Sequence, residues 1–126
     1  MARPKPWLKL WVDSVLGLKS LDLSLAETGA WWKLYAFGHL LGQSGRLTRE
    51  NNRAYALPEI MEALRITRRA DMAIFQHMVD KQLDSELLRW EGQILVIAGY
   101  DDEQSRAPSA QKEAVRDRVQ RWRAAQ

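Results

Sequence analysis

The stretch "SLAETGAWWKLYAFGHLLGQSG", residues 24–45, limits what this chain can fold into more than any other. Ser24 followed by Glu27 forms a capping box, in which the hydroxyl accepts from the Glu27 amide while the Glu27 carboxylate reaches back to the cap amide. The spacing predicts a helix over "LAETGAWWKLYAFGHLLGQ", ending at Ser44–Gly45. At about 100° per residue, Leu25, Trp32, Ala36 and Leu40 share one face, and Ala30, Leu34, Phe37 and Leu41 lie roughly opposite. Trp31 and Tyr35 flank them. A helix apolar on nearly all sides cannot face water, so it is either the central helix of the core or part of an interface between copies of the chain.

The elements around it are shorter. "WLKLWV" (7–12) alternates Leu8, Leu10 and Val12 with Trp7, Lys9 and Trp11, a period of two that predicts a strand. The polar, turn-rich "GRLTRENNRAYAL" (45–57) has Leu47 and Tyr55 as anchors. "LPEIMEALRI" then predicts a helix of about two turns, with Pro58 in its first turn. Thr67 is expected to cap a third helix, "RRADMAIFQHMVDKQ", with Ile74, Phe75, Met78 and Val79 inward. "SELLRW" and "QILVIA" flank Glu91–Gly92, which predicts a β-hairpin. The tail "AQKEAVRDRVQRWRAAQ" places Val115, Val119 and Trp122 on a thin stripe of a basic helix. The expected order of strand, long helix, short helix, helix and hairpin is that of a winged helix-turn-helix, mainly α with a small β-sheet. That domain is expected over 1–100, followed by a linker and basic helix over 101–126.

"EALRITRRADMA" (62–73) puts Arg65, Arg68 and Arg69 into five positions at the junction of the two short helices. In a helix-turn-helix the second helix presents its N-terminal residues to the major groove. Arg69, Ala73 and Gln76 lie away from Phe75 and Met78, so Thr67, Arg68, Arg69 and Gln76 are the expected DNA contacts. Arginine pairs bidentately with guanine, glutamine with adenine, and a helix N-terminus holds phosphate. Arg65 is expected against the sugar-phosphate backbone, and Arg89 beside the hairpin tip against a groove or backbone. The alternative is that these arginines are solvated or pair with Glu62 and Asp71. Cations at a helix start are mildly disfavoured by its dipole, which favours an external anion as their partner. Arg46, Arg49 and Arg53 form a further basic group in a loop.

The charge pattern agrees. The net charge is +3, but Arg3, Lys5 and Lys9 face no acid at the start of the chain. From Gln104 onward, Arg106, Lys112, Arg116, Arg118, Arg121 and Arg123 face only Glu113 and Asp117. There is no cysteine, which excludes disulfides and thiolate metal sites, and His39 and His77 stand far apart in sequence. Without a glycine-rich phosphate loop, paired carboxylates in an obvious cleft or a nucleophile motif, neither an enzyme nor a cofactor or metal is expected. No window approaches the roughly 20 apolar residues of a membrane span, and no signal peptide is evident. A cytoplasmic protein without a membrane partner is expected.

"WLKLWVDSVL", "LAETGAWWKLYAFGHLLGQSGRL" and "ALPEIMEALRITRRADMAIFQHMVDKQLDSELLRWEGQILVIAGYDDEQ" together resemble the N-terminal domain of phage replisome organisers. These are related to the DnaD-type primosome proteins of Gram-positive bacteria. "SAQKEAVRDRVQRWR" resembles the arginine-rich segment that follows, so the likeness runs over residues 7–123. It implies a winged helix that binds double-stranded DNA in replication initiation, self-associates as a homo-oligomer, and helps recruit the replicative helicase or its loader. The chain departs in having "KQL" where relatives place glycine before the hairpin, and "AGYDDEQ" after it. Two other readings stay open: a transcriptional regulator on the same fold, and an oligomerisation or protein-interaction module that never touches DNA.

Overall fold

The computed structural model describes residues 7–10, 22–105, 116 and 119–125. It is mainly helical with a small antiparallel sheet: α1 (Leu25–Leu41), α2 (Leu57–Ala63), α3 (Arg69–Asp84), β1 (Leu88–Glu91), β2 (Ile94–Ile97) and α4 (Tyr100–Ser105). Residues 119–124 are also helical, with Val119 and Trp122 exposed.

The capping box forms as the sequence predicts. The Ser24 amide donates to Glu27 at 2.8 Å and the Glu27 amide donates to the Ser24 hydroxyl at 3.1 Å. Glu27 also accepts from Lys81 of α3 at 2.7 Å. These bonds, Lys81 first, hold the Glu27 carboxyl down to about 2. α1 is packed on one side only. Ala30, Trp31, Leu34, Tyr35, Phe37 and Gly38 are buried, whereas Leu25 (92% exposed), Ala36 and Leu40 (56%) face outward. The helix stops at Leu41 rather than at Ser44, because Gly42 caps it. A side chain there would meet the carbonyl oxygens of Gly38 and Arg46 at 2.5 and 2.7 Å.

The strand expected over 7–12 is not present at residues 7–10; Trp11 and Val12 lie outside the described residues. The reason is a competing partner. Gln104 of α4 accepts from the Lys9 amide at 2.9 Å and donates to the Lys9 carbonyl at 3.0 Å. A side-chain amide thereby satisfies the backbone groups that a neighbouring strand would otherwise take. The place beside β2 belongs instead to residues 45–47. The Leu47 amide donates to Leu95 O at 2.8 Å, the Ile97 amide donates to Gly45 O at 2.7 Å, and Arg46 bridges to Val96. Gly45 allows this approach, with φ +83° and no room for a side chain against Tyr100.

The hairpin forms one residue later than expected. Glu91 is still paired, opposite Ile94, so the loop is Gly92–Gln93. Gly92 takes φ +62° at the first loop position, where two-residue hairpin loops favour glycine. α3 packs against both α1 and β1, and Phe75, Met78 and Val79 are fully buried with Leu34, Leu47, Ile60 and Leu95. Each such side chain contributes about 1.5–3 kcal/mol on burial. The outward face of α3 is thus fixed by its packed one. The residues after 100, expected to begin a linker, start as α4. Its Glu103 accepts from the Tyr35 hydroxyl at 2.9 Å, and Gln104 donates to that hydroxyl at 3.1 Å. Burial pushes the Tyr35 phenol well above its ordinary range.

Candidate nucleic-acid interface

The connection between α2 and α3 is a tight reversal built from backbone bonds. The Arg65 amide donates to Glu62 O at 3.0 Å and the Ile66 amide to Met61 O at 2.8 Å. This is the Schellman arrangement, in which the residue after the cap turns left-handed and is usually glycine. Here that residue is Arg65, with φ 59°. An L side chain in this conformation costs about 1–2 kcal/mol. The end of α3 is capped in the same way by Glu86, with φ 63°. The conformation alone therefore does not single Arg65 out; the side chain's surroundings do.

Thr67 does not cap α3. Because Ile66 is drawn back into the α2 cap, the chain re-enters helix one residue later than expected. Arg68 occupies the N-cap position (φ −75°, ψ 138°), with no side-chain hydrogen bond to the first turn. An arginine has no acceptor to offer, so no side chain at that position covers the first-turn amides. Thr67, Arg68 and Arg69 are all exposed, as is Arg65.

Pairing separates the cations into two groups. Lys81 holds Glu27; Arg49 holds Glu59 at 2.5 Å, donates to Ala54 O and stacks over Tyr55 at 4.2 Å; and Arg46 and Arg89 both engage Glu91. The hydrogen bond from Arg49 is the main cause holding the Glu59 carboxyl below its ordinary value. By contrast, Arg65, Arg68 and Arg69 have no carboxylate partner among the described residues. Neither Glu62 nor Asp71 neutralises them. The loop arginines expected as a possible third basic group are thus partly consumed internally. The signal was Glu59, in the first turn of α2 and ten residues beyond Arg49.

Of the remaining expected contacts, Gln76 is exposed on the outer side of α3, and its amide donates to Asp80 at 3.0 Å. Met72 (39% exposed) shares that outer side. Arg89 is exposed but lies 3.3 Å from Glu91. Trp90, on the same side of β1 as the buried Leu88, is 47% exposed. Four expected contacts therefore cluster within five residues at the turn, Gln76 lies two helical turns along, and Arg89 belongs to the hairpin. Among the described residues no group of three histidine, cysteine, aspartate or glutamate residues is placed to hold a metal ion, and no helix is long and apolar enough to cross a membrane. No family model, curated protein or solved structure matches the chain.

Proposed function

We propose that this protein is a winged-helix DNA-binding protein of replication initiation, similar to phage replisome organisers, acting in the cytoplasm. The observation that carries the DNA-binding part is the cluster Arg65, Arg68 and Arg69 at the start of α3, which has no carboxylate partner among the described residues. Three exposed guanidinium groups without a carboxylate partner among the described residues, beside a helix start whose N-cap side chain makes no capping bond, suit a polyanion. The order α1, 45–47, α2, α3, β1, β2 supports the winged-helix reading, with α3 as the element entering the major groove. Thr67, Arg68 and Arg69 contact bases or phosphates at the groove edge, Arg65 meets the backbone, and Gln76 reaches a base once it leaves Asp80. Arg89, which the sequence placed against a groove or backbone, is held by Glu91 and is not counted among the contacts. The replication role and a helicase or helicase-loader partner rest on the sequence likeness.

Three phosphates neutralised correspond to a slope of about −2.7 in log K against log salt, or about 40-fold in affinity between 50 and 200 mM salt. Adding a random duplex to isotopically labelled protein and recording amide shifts tests the placement. Shifts centred on residues 65–76 are expected, and shifts confined elsewhere refute it.

One observation favours a second reading, self-association. α1 presents Leu25, Ala36 and Leu40 to solvent on one side, an outer face suited to a second copy of the chain. Sizing chromatography of the native protein and of Leu25→Lys/Leu40→Lys distinguishes the two. A dimer that becomes monomeric and still binds duplex makes the two properties separable; loss of neither on substitution removes α1 from the account.

A further inference from the structure

Arg46, Val96 and Arg89 form one row across the sheet. Arg46 bridges to Val96 from one side and Arg89 pairs with it from the other. Directly paired residues point to the same face of a sheet, so two guanidinium groups flank Val96, which is only 3% exposed beneath them. Glu91, two residues along β1 and therefore on that face, lies between them. Its Oε2 accepts from Arg46 and its Oε1 from Arg89 at 3.3 Å. Each carboxylate oxygen thus takes a different arginine. The row lines an open groove of about 320 Å³, whose lining also includes Tyr100, Asp101 and Asp102.

Two guanidinium groups spaced by backbone pairing and converging on one anion have the donor set of a phosphate site. We propose that Arg46 and Arg89 form such a site and that Glu91 is its built-in occupant, a carboxylate standing where a phosphate would. The native hairpin is then silent toward nucleic acid, and Glu91 confines phosphate contact to Arg65, Arg68 and Arg69. Asp101 and Asp102, in the lining of the same groove, add to the exclusion. This rests on the duplex reading above and deepens it by naming the residue that limits the contact.

The test is Glu91→Gln, which keeps the shape and removes the charge. Its duplex affinity is measured across salt beside the native chain and Glu86→Gln, a control that makes the same charge change at an exposed residue outside the row. Glu91→Gln is expected to bind duplex more tightly and to steepen the salt slope by about 0.9 for each phosphate gained, whereas Glu86→Gln leaves the slope unchanged. Inorganic phosphate at constant ionic strength distinguishes the source. Its displacement of only the added affinity of Glu91→Gln identifies a general phosphate site, and no displacement identifies the nucleic-acid backbone as the ligand. If Glu91→Gln matches Glu86→Gln, the proposal is overturned. Should Glu91→Gln fold poorly, Arg46→Gln/Arg89→Gln in the native chain serves instead: an unchanged slope is expected, and a shallower one overturns the proposal. Arg68→Ala/Arg69→Ala separates the levels. If it lowers the native slope while Glu91→Gln does nothing, this inference alone fails; if it leaves the slope unchanged, or the native chain binds no duplex, the underlying reading fails and takes the inference with it.

Discussion

Gly45 and Gly92 both have positive φ, +83° and +62°, yet their surroundings differ enough to predict different losses on mutation to alanine. Both variants carry the strain of an L residue in left-handed conformation, about 1–2 kcal/mol. At Gly92 nothing lies within 4 Å of the added methyl group, so that strain is the whole effect. At Gly45 the methyl would stand 2.6 Å from Tyr100 Cβ and 2.9 Å from Ile97 O. Neither neighbour is a flexible tip, so residues 45–47 must move away from β2. The bond from the Ile97 amide to Gly45 O, 2.7 Å long, is then stretched or lost, which costs a further 0.5–1.5 kcal/mol, roughly. Gly45→Ala is expected to lose about 1.5–3.5 kcal/mol in total and Gly92→Ala about 1–2. At about 4 °C per kcal/mol for a domain of this size, thermal unfolding followed by circular dichroism should separate their midpoints by several degrees. Equal midpoints would refute the claim that residues 45–47 are an integral, closely packed edge of the sheet.

Two other expectations concern the ties between elements. The folded Glu27 carboxyl titrates at about 2, below its ordinary 4.5, so its stabilisation is present above pH 4.5 and disappears as pH falls toward 2. Urea midpoints across that range should drop more for the native chain than for Glu27→Gln; parallel curves would show that Lys81 and Ser24 do not act through this charge. Gln104→Ala removes both bonds to the Lys9 backbone, and hydrogen exchange at the Lys9 amide should accelerate well beyond that of amides in α3. An unchanged rate would mean that residues 7–10 are held by something else.

What could be read in advance followed locality. The capping box at Ser24 and Glu27 is complete within four residues, and the 3.6-residue spacing of Phe75, Met78 and Val79 marks the buried side of α3 directly. The hairpin of "SELLRW" and "QILVIA" was also legible, though the paired strands are "LRWE" and "ILVI" and the loop shifted by one because Gly92, not Glu91, takes the first turn position. The failures were non-local. The alternation in "WLKLWV" is real, but the Lys9 backbone pairs with a glutamine 95 positions away, which no periodicity announces. The segment that does lie beside β2, around Arg46, is too short and polar to read as a strand. The N-cap moved from Thr67 to Arg68 because Arg65 accepts a left-handed conformation usually left to glycine. The arginines at 65, 68 and 69 were conspicuous in the sequence; that they lack carboxylate partners, while Arg46, Arg49 and Arg89 have them, depends on distances that only the folded chain provides.

Charge at the α2–α3 turn, unanswered among the described residues, is the point on which the functional reading stands. Its most direct test compares duplex affinity against salt for the native chain and for Arg68→Ala/Arg69→Ala, with folding checked by circular dichroism. The account predicts a slope shallower by about 1.8, two phosphates' worth, and weaker binding at every salt concentration below the crossover. A variant that folds normally and keeps the native slope would contradict it.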